Sequence, residues 1–300
     1  MNAAPALLGC AAAVGLVAPR VLARSRWPHR SPVLAMTLWG ALAVSFSLSV
    51  VLGVVHVVTP GAHGPGLLYS CRVALGFDPS HEGLVQRWGL TVLGAVAAVH
   101  AGGFAVHALR ARCARVRHRR LVDMVGRRVP DLRATVVDHA LPAAYCLPGR
   151  SWRIVVSQGA LERLTGPELG AVLEHERAHV AGRHHLVLAA AQAFASIFTG
   201  WLPLARHLRE QVPLLLEMAA DDRAVRRCPH GVLASAIVEM AAAHGAPRGA
   251  LSAGGPAALL RVRRMLSPAS RTSPVLRAAL AAAAGMVPVL PLVFACPPGL

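Results

Sequence analysis

Apolar residues are distributed along this chain in two ways: in long unbroken runs, and in short segments where they recur with the period of a helix or a strand. The unbroken runs cover residues 3–19, 33–58, 88–109 and 276–296. With a rise of 1.5 Å per residue, the second (about 26 residues) and third (about 22) each reach across the ~30 Å of a bilayer's hydrocarbon. The first has no basic residue before it, so it lacks the charged start of a cleavable leader and reads as a retained membrane segment. The fourth carries Gly285, Pro288 and Pro291, which a membrane helix tolerates where neighbours satisfy the freed carbonyls. A buried soluble helix is the alternative for that run. A further apolar stretch, residues 186–204, is also long enough to span. Its sequence leaves open whether it crosses, re-enters, lies in the interface or packs as a buried helix.

Between the third and fourth runs the pattern is that of a folded α+β unit. "ARCARVRHRRLVDMVGRRV" (111–129) predicts a basic amphipathic helix continuing from the third run. "LRATVVD" (132–138) and "WRIVVSQGAL" (152–161) are β-branched runs, and "LPAAYCLPGR" between them has the composition of a short strand and turn, so a small sheet is expected. Thr165, Pro167 and Glu168 then form a capping box that opens a helix running to about Gly182. The architecture expected is an α-helical integral membrane protein with about four transmembrane helices and a cytoplasmic α+β domain. Residues 1–110 would hold three transmembrane helices, 111–271 the cytoplasmic domain, and 272–300 the fourth helix with a short tail. Residues 245–256 are the expected linker.

Composition supports lipid as the solvent of the runs, because the chain is 55% hydrophobic and only 15% charged. The arginines at 20, 24, 26 and 30, and those at 110, 112, 115, 117, 119 and 120, flank the first and third runs and orient both flanks toward the cytoplasm. Both termini and residues 59–87 would then lie outside, and 110–271 inside. Much of the formal charge of +17 is thereby topological, and the rest would favour anionic lipid. All 31 basic residues are Arg, a bias that does not read as a nucleic-acid interface, and no direct nucleic-acid binding is expected. The six cysteines include no CxxC pair. Cys113, Cys146 and Cys228 are expected as free thiols, and Cys71 could pair with Cys10 or Cys296 outside.

The chemistry is concentrated in "LEHERAHVAGRHH" (173–185). His175 and His179 are four apart on one helix face, where both imidazoles can reach one ion, and Glu176 points to the adjacent side. A catalytic zinc needs a third protein ligand and one open position. Two candidates compete. His185 completes HExxHxxGxxH, the metzincin pattern, although no convincing Met-turn follows. Glu217 in "LLLEMAADDRAV" stands one helical turn before Asp221, a spacing that lets one carboxylate hold metal while the other accepts the distal N–H of His175.

"PAAYCLPGRSWRIVVSQGALERLTGPELGAVLEHERAHVAGRHH" followed by "EMAADDRAV" resembles the integral-membrane zinc metallopeptidases of the BlaR/MecR antibiotic-sensor type, relatives of the CAAX-protease and HtpX group of gluzincins. The likeness spans residues 138–225. It implies one Zn²⁺ held by His175, His179 and Glu217, with Glu176 catalytic and Asp221 supporting a ligand. It also implies a cytosolic protein substrate, a BlaI-type transcriptional repressor, and a role in signal transduction. No penicillin-binding sensor domain follows Cys296, so a short form without direct β-lactam sensing is expected. A housekeeping protease for membrane proteins and a non-catalytic signalling subunit are the rival readings. "AAYCLPG" or "WRIVVS" would pair with an extended substrate, and His139, Tyr145 and Arg223 are candidates for stabilising an oxyanion. Oligomeric state is not legible.

Overall fold

The computed structural model describes residues 3–58, 84–149, 152–198, 201–242, 255–267 and 272–295. The loop 59–83, a pairing of Cys71 or Cys296, and residues 243–254 of the expected linker lie outside the described residues. Helix α1 (Ala4–Arg24) and helix α2 (Pro32–Val58) are long and apolar enough to cross a membrane. Pro19 has no N–H to give the carbonyl of Gly15, and the helix widens into a π turn at Ala13–Val17 just before it. A short 3₁₀ turn, Trp27–Arg30, reverses the chain between α1 and α2. The third apolar run lies within α3 (Leu84–Val125). That helix runs 42 residues without a break, so the boundary expected at residue 110 falls inside it.

The helix read through to residue 129 stops at Val125, where the Gly126 N–H bonds the Val122 carbonyl. Arg127–Val129 instead forms a strand, β1, which the sequence reading missed. It pairs antiparallel with β2 (Ala134–Val137); β2 runs parallel to β4 (Arg153–Ser157), and β3 (Ala144–Leu147) lies antiparallel on the far side of β4, giving the order β1-β2-β4-β3. Ile154, Val155 and Val156 are all fully buried because both faces of β4 are covered. Val155 packs with Val122 of α3 and Leu147, while Ile154 and Val156 face Val172 and Leu173.

Ser157 ends β4 and caps α4 (Gln158–Arg163), its Oγ accepting from the Ala160 and Ala143 N–H groups. Helix α5 (Gly166–Ala181) opens as the sequence predicts: the Glu168 carboxylate accepts from both the backbone N–H and the hydroxyl of Thr165. Such a cap stabilises a helix by about 1 kcal/mol. Gly182 and Arg183, the latter with φ 49°, turn the chain into α6 (His184–Ile197).

The apolar stretch 186–204 does not form one long helix among the described residues. Its helix has 14 residues, about 21 Å at 1.5 Å per residue, and it packs against α3 and against α7 (Pro203–Ala224), which carries the chain back toward α5. Phe194, Phe198 and Leu202 join Trp39 and Phe46 of α2 and Leu215 of α7 in one core, so α1 and α2 are packed onto the hairpin that carries the candidate site. Two more helices, α8 (His230–Ala242) and α9 (Gly255–Leu266), close over α5 and α7. The fourth apolar run, expected as one spanning helix, is divided into α10 (Pro274–Met286) and α11 (Leu290–Ala295) by a turn at residues 287–289, next to the N–H that Pro288 lacks. Both pieces pack on α2.

Candidate metal centre

His175 and His179 project from α5 with their Nε2 atoms 3.1 Å apart. Glu217 comes from α7, its Oε2 3.3 Å from His175 Nε2 and its Oε1 3.3 Å from His179 Nε2. One donor atom from each of the three lies within 4.8 Å of the others. His175 is buried, while His179 and Glu217 are partly exposed, which leaves the group an open side.

The surroundings hold these donors in place. Asp221, one turn after Glu217 and 1% exposed, sets its Oδ1 3.0 Å from His175 Nδ1, close in distance but without a well-aligned hydrogen bond. Arg261 of α9 forks onto the same carboxylate, Nε to Oδ2 at 2.8 Å and Nη2 to Oδ1 at 2.7 Å, and places Nη1 2.9 Å from Glu217 Oε2. Arg264 pairs with Asp222, so two consecutive aspartates of α7 each receive an arginine from α9. Arg261 was not anticipated from the sequence. It stands forty residues beyond Asp221, past the expected linker.

His179 has a partner of its own. His184, the first residue of α6, sets its Nδ1 2.9 Å from His179 Nδ1. Gly182 permits this, since a Cβ at that position would lie 2.3 Å from His184 Nε2. Burial, and then the charge of His179, hold His184 down to about 4. A neutral His184 can accept the Nδ1–H of His179, leaving the Nε2 lone pair of His179 for a ligand. The second half of the sequence motif thus contributes His184, and not His185, which faces a separate cavity with Arg112, Arg115 and Trp152. The His185 spelling is not realised.

Electrostatics favour a cation among the three donors. Burial would lower His175, but its contacts with Asp221 and Glu217 outweigh this and raise it to about 9. Burial would raise Glu217, yet hydrogen bonds from both histidines and the charge of Arg261 hold it well below the usual carboxylate range. Two imidazole nitrogens and one carboxylate oxygen meet at one point, and an N₂O set around an open position suits zinc. Glu176 is buried beside this group, where burial pushes it above the ordinary carboxylate range. His175 and His179 pull against that shift, Glu217 adds to it, and the backbone of Cys146 bonds the carboxylate.

Cys146 belongs to β3, the edge strand that packs against α5. Of the two segments expected to receive a substrate, only "AAYCLPG" lies at an edge; "WRIVVS" forms β4, which is paired on both sides. The oxyanion candidates scatter. His139 Nδ1 contacts the Leu141 carbonyl, Tyr145 Oη bonds His118, and Arg223 lines a cavity of about 430 Å³ with His184 and with Val33 and Met36 of α2.

Residues 109–242 match the model of Peptidase family M48. The matched part begins late in α3 and ends with α8, so it contains the three donors, Glu176 and Asp221 but not Arg261. Peptidases of this family are zinc-dependent, in keeping with the donor set. No curated protein and no solved structure matches the chain.

Proposed function

We propose that this chain is a membrane-embedded zinc metalloendopeptidase. The observation that carries the reading is the convergence of His175, His179 and Glu217 with Glu176 buried beside them. Zinc bound there supplies Lewis acidity, polarising a carbonyl and acidifying water. The chain's own residues do the rest. Glu176, buried beside the three donors, accepts a proton from the attacking water and hands it to the leaving amine. Asp221 and Arg261 orient His175 and Glu217, and His184 orients His179. An extended peptide adds to the free edge of β3, which brings its backbone past Cys146 toward Glu176.

The proposed setting is a cell membrane crossed several times, with the peptidase part on the cytoplasmic face. The arginine clusters support that orientation, and the packing of α6 and α7 on α1 and α2 supports a site near the membrane surface. A reporter fused after Arg120 should then read cytoplasm. The proposed substrate is a cytosolic protein, and by resemblance to the BlaR/MecR type a BlaI-type repressor cleaved in signal transduction. The test is to map new protein N-termini in wild-type and Glu176→Ala cells under cell-wall stress. Glu176-dependent termini in a cytosolic repressor are expected. Their confinement to extracytoplasmic proteins would refute the reading, and their confinement to misfolded membrane proteins would replace signalling with housekeeping.

A further inference from the structure

A cavity of about 830 Å³ is bounded by β3, the end of α5 and the basic stretch of α3. Arg112 and Arg115 of α3 stand on one wall, Arg183 of the α5–α6 turn and His185 of α6 on another, and Trp152 and Cys146 supply apolar surface. Arg119 also reaches it, its guanidinium seated against Gly149. Among the described residues no carboxylate lines the cavity, and Arg112, Arg115 and Arg183 have no ion-pair partner. His185 is held below its ordinary value, first by burial and then by repulsion from Arg115 and Arg183, as expected where cations gather without a counter-charge. A concave wall of one sign focuses the field and attracts the opposite charge.

Cys146 ties this cavity to the chemistry, because the residue that bonds Glu176 through its backbone also lines the cavity. Val180, one residue after the donor His179, lines it too. A peptide paired along β3 would pass both Glu176 and this pocket, which has arginines on two sides and is lined by Trp152.

We propose that this cavity is a substrate subsite that selects an acidic stretch, Asp or Glu interleaved with apolar residues, on one side of the scissile bond. The inference rests on the peptidase reading. Anionic lipid is the competing occupant, since α3 comes from an apolar run. The peptide is favoured because the cations face one another from separate elements across a cavity shared with β3, where a substrate has to pass.

The test uses the full-length Glu176→Gln chain in neutral detergent, with three labelled peptides of about ten residues that alternate Leu with Glu, Ser or Lys. Fluorescence anisotropy should show the Glu peptide binding about tenfold tighter than the Ser peptide, with the advantage largely erased between about 50 and about 500 mM salt. The Arg115→Glu/Arg183→Glu chain should prefer the Lys peptide. If that variant has lost its thermal transition, Arg112→Gln/Arg115→Gln takes its place and should cut the Glu preference about tenfold. Equal affinities, or a preference indifferent to these substitutions, would overturn the proposal. So would phosphatidylglycerol in the micelles stabilising the parent but not the variant while peptide preference stays unchanged. No acidic preference in Glu176→Gln, with the wild-type chain hydrolysing protein, would sink only this subsite; acidic preference in Glu176→Gln, with a wild-type chain that hydrolyses nothing, would sink the peptidase reading instead.

Discussion

His184 Nδ1 lies 2.9 Å from His179 Nδ1, so a residue just beyond the helix supports a donor inside it. The turn through Gly182 and Arg183 makes that contact, and it predicts how zinc affinity responds to substitution. Removing a partner that orients a metal-binding histidine weakens affinity by about 10- to 100-fold. His184→Ala should do this, and Gly182→Ala should follow it, because its new methyl would displace the His184 ring. Glu217→Ala should lose more zinc than either, and His185→Ala should lose the least. Titration against a competing chelator gives the ranking; a larger loss for His185→Ala than for Glu217→Ala would restore the metzincin pattern.

Arg261 joins Asp221 and Glu217, and its removal leaves a carboxylate that is 1% exposed without its cation. Breaking one side of a buried pair typically costs about 3–5 kcal/mol. Arg261→Ala should therefore lower the melting temperature more than Arg264→Ala, whose partner Asp222 is 41% exposed. A double-mutant cycle of Arg261→Ala with Asp221→Ala should show strong coupling. Additive losses would mean that Arg261 and Asp221 act independently.

Cys146 supplies a pH-dependent readout. Burial first, then the charge of Glu176, push its thiol up to about 12. The thiolate is the reactive form, so a raised value means that little of it exists at neutral pH and that alkylation accelerates only as pH climbs toward that value. At about pH 8 iodoacetamide should label the exposed Cys113 well before Cys146. Glu176→Gln removes a negative neighbour and should quicken Cys146 labelling, as mass spectrometry of tryptic peptides would reveal; unchanged labelling would separate the two residues.

The parts of this site legible in the sequence are those set by one helix. HExxH puts His175 and His179 on one face, Glu217 and Asp221 are a turn apart on α7, and Thr165 with Glu168 marks where α5 begins. These spacings follow from 3.6 residues per turn and need no knowledge of the fold. What escaped depends on tertiary contact. Arg261 meets Asp221 only because α9 folds back over α7, and nothing local to "RVRR" names that partner. His184 is not legible because the glycine spelling points to His185, whereas a positive-φ Arg183 brings the earlier histidine round. Strand β1 was read as more helix because its basic residues continue those of α3. The apolar run at 186–204 leaves its placement open because burial in a helical hairpin and burial in lipid select the same residues.

The most direct measurement takes one preparation of the purified full-length chain, wild type and Glu176→Gln, and determines in each both zinc content and hydrolysis of an unfolded protein. About one zinc per chain is expected in both, since all three donors remain, with hydrolysis reduced by at least about 100-fold in the variant, which has lost its proton carrier. Wild-type protein that binds no zinc, or a zinc-loaded Glu176→Gln chain that hydrolyses as fast as wild type, would contradict the peptidase reading.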